Sequence, residues 1–472
     1  MSLTKTVDVY TTQYDTDACS IGIVHLGFGA FHRAHQAVYI DDYMDQTGDL
    51  RWGVAAVNLR GAESVPFAAH QTGGYVLKSI APNGVTQLRK VRSHVAFFDW
   101  SKDRATTEAL LARSSVHMVT ITVTESGYYT DPAGNLNAND PAISAEIAAN
   151  RVPKNGTTVY AYLAAGLLAR KAALGAPLTI CCCDNIRHNG TQLERNLLTY
   201  LTLRGDTELV DWIKDNVSFP CSMVDRITPR ATQDLADSLS ADLGETIVQP
   251  IMAEAFTQWV LEERFAGPMP ALDKVEVIVT PDVNPYEETK IRVLNGGHTC
   301  LAYLAALHGI ATFDQAMGVP ELFDHFWTYE TQEVLPALTL DLPFSKSDYL
   351  DSIAARFKNE AIADTVARIC ADGFAKFPIF IRPTLEGCLA QGILPQAGIK
   401  SIASWHCFAQ HVAAKRVTFE YIDPSWDQLS ELIGTDAFVT SKQLWGDLPT
   451  TYPAFATALR AEIKEMEQTW PV

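Results

Sequence analysis

Lys290, Asn295 and His298, spaced i, i+5 and i+8, and Glu287 just before them form a set that can move a proton and hold a charged oxygen. Lysine serves as acid or base, and an asparagine amide donates to an oxyanion without adding charge. An imidazole and a carboxylate join them, and a partly exposed polar face fits the same pattern. The stretch that carries them, NPYEETKIRVLNGGHTCLAYLA from Asn284 to Ala305, reads as a helix. Taken as an α-helix at about 100° per residue, Lys290, Asn295 and His298 fall at roughly 0°, 140° and 80°, with Glu287 at about 60°. The opposite side carries Val293, Gly297, Cys300, Leu304 and Leu307, an apolar stripe suited to a core. Asn284 reads as the N-cap and Pro285 as a first-turn residue. Gly296-Gly297 runs against the helix, since glycine costs about 1 kcal/mol in a helix interior.

The elements that must position this set begin near the other end of the chain. Ile21 to Leu26 (IGIVHL) reads as a strand ending in Gly27-Phe28-Gly29-Ala30, followed by a helix to about Asp45. Strand, glycine turn and helix present backbone N–H groups and a helix N-terminus to a phosphate. One glycine allows the tight turn and a second lets the backbone approach a pyrophosphate. His32 stands where G-x-G-x-x-G has its third glycine, so a methyltransferase or a structural turn fits the same pattern. The second strand, Trp52 to Val57, should be followed by an acidic residue if NAD is bound. Glu63 is the nearest carboxylate after Arg60, and Arg60 would suit a 2′-phosphate, so NADP stays open beside NAD.

Tyr75 to Ile80 and Val85 to Val91 read as a hairpin across Pro82-Asn83-Gly84. After a helix near Thr106 to Arg113, the strand Val116 to Val123 runs into Thr124-Glu125-Ser126-Gly127-Tyr128. Glu125 then lies just past a strand's C-terminal end, where open α/β sheets place ligands. A surface excursion spans 130–155, and a helix (Val159 to Leu174) leads to the strand Leu178 to Cys183 and to Asp184-Asn185. The same sheet is expected to extend through Cys221 to Thr228 and Val275 to Thr280. This alternation predicts an α/β fold. After His308-Gly309 the pattern is mainly helical: Pro320 to Leu335, Tyr349 to Phe357, Ala361 to Ala371, Ile399 to Ala413 and Tyr452 to Met466.

The net charge of −18 on 472 residues disfavours nucleic acid and anionic membrane as partners. No stretch approaches the roughly 18 apolar residues of a membrane span, and the N-terminus has no signal-like apolar region. Nine cysteines, three of them consecutive and none in a C-x-x-C pair, suit reduced buried thiols in the cytoplasm better than disulfides or a zinc site.

The stretch Gly27 to Gln36, Thr124-Glu125-Ser126-Gly127-Tyr128, Cys183-Asp184-Asn185, Met223-Val224-Asp225-Arg226 and Lys290-x4-Asn295-x2-His298 share order and spacing with one family. From about residue 18 to at least 390, the chain resembles the polyol-specific long-chain dehydrogenases, the mannitol dehydrogenase family. The resemblance implies a Rossmann-type, mostly parallel sheet domain over 1–282 and a mainly α-helical substrate domain over 283–472. It implies NAD as cofactor and a metal-free reaction with Lys290 as general acid/base. Asn185 and Asn295 would hold the substrate oxygen, His298 would orient the substrate, Glu287 would relay the proton and Glu125 would line the site. Gly27, Phe28, Gly29, Ala30, Phe31 and Arg33 would form the cofactor turn. Glu63 would read the ribose, Asp225 would lie beside the cofactor, and Arg368 and Lys376 would reach the substrate. Free lysine has a pKa of about 10.4, so a base role requires burial or a neighbouring cation to lower it.

The resemblance points to interconversion of an acyclic polyol and its 2-ketose, with mannitol and fructose first. Phe377-Pro378-x-Phe380 and Trp212-Ile213-Lys214 look closer to mannitol oxidation. VHLGFGAFHRAHQA and Val57-Asn58-Leu59 look closer to fructuronate reduction, and D-arabinitol oxidation is a further alternative. A silent NAD-binding sensor would need no base, which sets it against the intact Lys290, Asn185, Asn295 and His298. The expected partners are small polyol, ketose or uronate molecules, with the chain a monomer or small homo-oligomer.

Overall fold

The computed structural model describes residues 8–59, 74–131, 134–149 and 157–472. Arg60 and Glu63 lie outside them. The chain forms two compact units, one running to Ala81 and again from Val85 to Asn284, the other comprising Pro285–Val472 with Pro82–Gly84.

The first unit is built on a six-stranded sheet of β1 (Ile21–Leu26), β2 (Gly53–Asn58), β3 (His94–Asp99), β4 (Met118–Ile121), β5 (Leu178–Cys182) and β6 (Val217–Ser218). Their order is β3-β2-β1-β4-β5-β6 and every pairing is parallel. This is the doubly wound order, in which the direction of winding reverses between β1 and β4 and leaves a crevice at their carboxyl ends. Val24, Leu26, Val57, Val119, Ile121 and Ile180 are buried. Such continuous apolar runs are what a sheet covered on both faces requires. Tyr160, Leu163 and Leu167 of the helix Val159–Ala173 share a core with these strands.

The sheet does not extend through residues 221–280 as expected. Ser222–Asp225 and Ile278–Thr280 flank Gln258–Glu262 in a separate three-stranded sheet, antiparallel on one side and parallel on the other. Strand β6 is only two residues long and ends before Pro220, which has no N–H to continue a ladder. The hairpin Tyr75–Ile80 with Thr86–Val91 belongs to a third sheet, with Val9–Thr11 and Ile251–Glu254 on its two sides.

The second unit is helical around one large core. Its first helix is not α-helical throughout. Asn284–Thr289 is α, Lys290–Asn295 is π, and Gly296–Leu307 is α again. Two further π segments occur at Tyr329–Val334, which interrupts the expected Pro320–Leu335 helix, and at Phe377–Ile381. The expected helix at Ala361 to Ala371 shrinks to Val366–Cys370, capped by the Thr365 hydroxyl. Val293, Cys300 and Leu304 face the core as their spacing predicts. Among the described residues no helix is long and apolar enough to cross a membrane. All nine cysteines are free and seven are buried.

Candidate active site

In the first unit Gly27 to Arg33, Glu125 and Asn185 follow the carboxyl ends of β1, β4 and β5, whereas Asp225 lies on the separate three-stranded sheet. Gly27 has φ +101°, and a Cβ there would lie 2.1 Å from the Thr122 carbonyl oxygen, so the turn between the reversing strands admits only glycine. A Cβ on Gly29 would meet nothing within 4 Å. Gly27, Asn58, Leu59, Thr122, Val123 and Gly127 line a cleft of about 160 Å³ at this edge. A backbone that needs glycine at one position and leaves open space at the next fits a bound pyrophosphate.

Below the turn the expected helix breaks at His35 (φ −120°, ψ −94°) into α1 (Ala30–Ala34) and α2 (Gln36–Thr47). His32, at the third-glycine position, stacks on His25 with ring centroids 3.2 Å apart. Its Nδ1 lies 3.3 Å from Gln36 Oε1 and its Nε2 2.9 Å from His94 Nε2. With the Gln36 oxygen accepting, His32 carries its proton on Nδ1 and accepts from His94 at Nε2. Burial holds His25 and His32 well below the ordinary imidazole range, so both are neutral. Phe28 and Arg33 turn into the fold: Phe28 packs edge-on to His94 and Phe97, and the Arg33 guanidinium lies over Phe28 and donates to the Gln249 carbonyl. Phe31 stacks on His35, and Ala30 is half-buried.

Asn185 is exposed on the turn after β5, and Glu125 is exposed in the short turn Glu125–Tyr128 after β4. Asp184 joins the two segments. Its Oδ2 accepts from the Val123 N–H (2.8 Å) and the Tyr128 hydroxyl (2.7 Å), and its Oδ1 accepts from the Thr124 N–H (3.1 Å). Asp225 is buried at the end of its strand, opposite Gln258. Arg226 beside it donates to the Glu254 and Ala34 carbonyls and to the Ser79 hydroxyl, tying three segments together.

In the second unit Lys290 and Glu287 are buried and Asn295 is half-buried. A π turn closes i→i+5, so residues five apart stack as residues four apart do in an α-helix. Lys290 and Asn295 therefore share a side, where an α-helix would hold them about 140° apart. Three α-residues further on, nearly a full turn, His298 returns to that side. Its ring lies against Phe357 (centroids 4.0 Å) and edge-on to Phe313 (4.7 Å). Burial, followed by the charges of Arg368, Arg356 and Lys376, keeps His298 well below the ordinary imidazole range. The fold thus gathers a neutral imidazole and three cations in one region. Arg368 donates from Nε and Nη2 to the two carboxylate oxygens of Asp364, and Lys376 Nζ donates to the Ile369 carbonyl at 2.9 Å. Among the described residues no cluster of three or more His, Cys, Asp or Glu side chains is arranged to hold a metal ion.

Residues 21–274 match the mannitol dehydrogenase Rossmann domain, and residues 282–467 match the mannitol dehydrogenase C-terminal domain. The chain belongs to the mannitol dehydrogenase family. Within it, the chain is 36% identical over 436 residues to a D-arabinitol 4-dehydrogenase of Ralstonia nicotianae, covering 90% of this chain and 92% of that one. It is 37% identical over 429 residues to a mannitol 2-dehydrogenase of Cereibacter sphaeroides, covering 90% and 88%. The fold matches that of Pseudomonas fluorescens mannitol 2-dehydrogenase, solved as a ternary complex with NAD and D-mannitol, with TM-score 0.88 and 32% identity over 98% and 94% of the two chains.

Two further residues beside these candidates carry little signal of their own in the sequence. Asp184 was visible only as the neighbour of Asn185. Arg356 sits in an ordinary amphipathic helix, Lys346–Phe357, and nothing in its spacing sets it apart from a surface cation.

Proposed function

We propose that the chain is an NAD-dependent polyol dehydrogenase that interconverts an acyclic polyol and its ketose, with mannitol and fructose the first pair. The observation that supports this most is the π turn that stacks buried Lys290 with Asn295, on the helix that also carries His298 among Arg356, Arg368 and Lys376. Cations flanking a neutral imidazole suit the hydroxyls of a polyol. The nicotinamide, when bound, supplies the hydride acceptor for oxidation and the donor for reduction. Gly27 and Gly29, with the cleft beside them, would hold its pyrophosphate, over a turn packed by Phe28, Ala30, Phe31 and Arg33. Asp225 would lie beside the cofactor.

In this reading Lys290 takes the proton from the carbinol oxygen during oxidation and returns it during reduction. Asn185 and Asn295 donate to that oxygen as its charge develops. His298, neutral, accepts from or donates to a neighbouring hydroxyl, Arg368 and Lys376 hold further hydroxyls, and Glu125 lines the site. Glu287, one turn before Lys290, passes the proton toward solvent. No step uses a metal. The nine free thiols suit a reducing, cytoplasmic setting, with the chain a monomer or small homo-oligomer.

A second reading, D-arabinitol oxidation, is favoured by the equally similar arabinitol relative. The deciding experiment is reduction of fructose, xylulose and fructuronate, following NADH and NADPH separately. Preference for fructose supports the mannitol pair, and preference for xylulose supports arabinitol. Preference for fructuronate turns Arg368 and Lys376 into carboxylate clamps, and a faster NADPH reaction assigns the ribose to Arg60 rather than Glu63. No turnover with any ketose, alongside retained NAD binding, would leave a cofactor-binding sensor.

A further inference from the structure

We propose that Asp184 is a positioning residue for the reaction, its carboxylate clamping the segment from Val123 to Tyr128 and so fixing Glu125 and the adjacent Asn185. The inference rests on the reading above of Glu125 and Asn185 as substrate-facing residues.

The segment is held against its own preference. Strand β4 ends at Ile121, and the N–H groups of Val123 and Thr124 follow it, beyond the reach of the ladder. Thr124 has φ 67° and ψ 160°, and Tyr129 at the far end has φ 48°. Neither residue is glycine, and threonine is β-branched, so the backbone is strained at both ends of the Glu125 turn. The two Asp184 oxygens accept both N–H groups and the Tyr128 hydroxyl, charge-assisted bonds that offset the strain. The clamp is anchored on its own side as well. Asn189 Nδ2 donates to the Asp184 carbonyl (3.1 Å) and the Ser222 carbonyl (2.8 Å), and Asn189 Oδ1 accepts the Ser222 N–H (2.9 Å).

An aspartate is needed here because the two backbone donors meet different oxygens. An asparagine would offer one acceptor and turn its NH2 toward the other N–H, donor against donor. A protonated Asp184 would do nearly the same. Burial pushes the Asp184 carboxyl up to about 6, opposed by the Tyr128 hydroxyl and the two N–H groups and reinforced by the Glu125 charge. The other titratable groups that face it, Tyr128 on the clamped segment and Cys182 and Cys183 on the β5 side, are raised by burial and stay neutral. Acid should therefore open the clamp near pH 6 in the wild type, while Asp184→Asn opens it at every pH.

The test measures kcat/KM for ketose reduction by wild type and Asp184→Asn from pH 5 to 8, with NAD affinity followed by quenching of tryptophan fluorescence. We expect the variant to be about 10- to 100-fold slower at pH 7.5 and that ratio to fall about five- to tenfold by pH 5, with NAD affinity within about twofold throughout. A purely structural role would give a ratio independent of pH, and a flat ratio or wild-type activity at pH 7.5 overturns the inference. If Asp184→Asn does not fold, Tyr128→Phe carries the test. Loss of that hydroxyl should move the wild-type inflection to higher pH, and an unmoved inflection overturns the inference equally. Lys290→Ala in the same assay separates the two levels of argument. Turnover retained in that variant sinks the proposed function itself, whereas a dead Lys290→Ala with a flat Asp184→Asn ratio sinks only the clamp.

Discussion

Lys290 and Asn295 are the first and last residues of a single π segment, which stacks the two on one side of their helix. The segment is followed by Gly296, where a side chain would be tight, and Gly297, where one would force its neighbours to shift. A Cβ on Gly296 would lie 3.2 Å from the Phe380 carbonyl and 3.3 Å from the Tyr329 hydroxyl, both on π segments themselves. A Cβ on Gly297 would lie 2.8 Å from Glu330 Oε1 and 2.8 Å from the Phe326 ring. Glu330 is fully buried, without a hydrogen-bond partner for either oxygen, and burial raises its carboxyl well above the usual range. Gly297→Ala is expected to cost about 1–3 kcal/mol through overpacking and to lower kcat with NAD affinity retained. Thermal melting and steady-state kinetics check this, and wild-type values for both would show that this packing does not hold the π turn.

Lys290→Ala should bind NAD nearly as wild type does and lose about 10³-fold or more in turnover, because base and positioning go together. Single-turnover hydride transfer, read as NADH absorbance, isolates the step. Dialysis against EDTA should leave wild-type turnover unchanged, and chelator sensitivity would require a metal in place of the lysine mechanism.

The two glycines of the dinucleotide turn should respond in opposite ways to alanine. Gly27→Ala drives a methyl into the Thr122 carbonyl at a positive φ and should lower the melting temperature markedly. Gly29→Ala has open space and φ −75°, so it should melt like wild type yet bind NAD about tenfold or more weakly. Titration calorimetry with NAD decides, and unchanged affinity for Gly29→Ala would remove the pyrophosphate from this turn.

The histidines under the turn predict an acid dependence of stability. A base whose folded pKa is lowered takes up its proton only on unfolding. Its contribution is therefore intact above about pH 6.5 and is lost as pH falls below it, at about 1.4 kcal/mol per pH unit and group. His25 and His32 both act in this sense. Glu333, raised to about 7, and Asp184, raised to about 6, act oppositely, since the folded form takes their protons first. The difference between wild type and His32→Gln removes the shared terms. Denaturant melts from pH 7 to 4.5 should show the wild type's advantage shrinking as pH falls, and parallel curves would contradict a neutral buried His32.

Much of this protein was legible in its residues. Apolar runs ending in glycine or in Asp-Asn marked the parallel strands, because a sheet covered on both faces must be apolar throughout. The turn at Gly27 could be read for the same kind of reason, since its backbone conformation is one that side chains rarely adopt. The apolar stripe of Val293, Cys300 and Leu304 marked the core side of the Lys290 helix correctly. Tertiary packing decided the rest. Whether Lys290 and Asn295 share a face depends on one π turn, which packs against neighbours distant in sequence, Tyr329 and Phe380 among them. The departure of the chain from the main sheet after β6 depends on Pro220 and on the partner that Ser222–Asp225 finds in Gln258–Glu262. The Asp184 clamp likewise exists only because β4 and β5 lie side by side. Local spacing names the residues that can do chemistry, but hydrogen bonds and close contacts across long stretches of chain determine which of them meet.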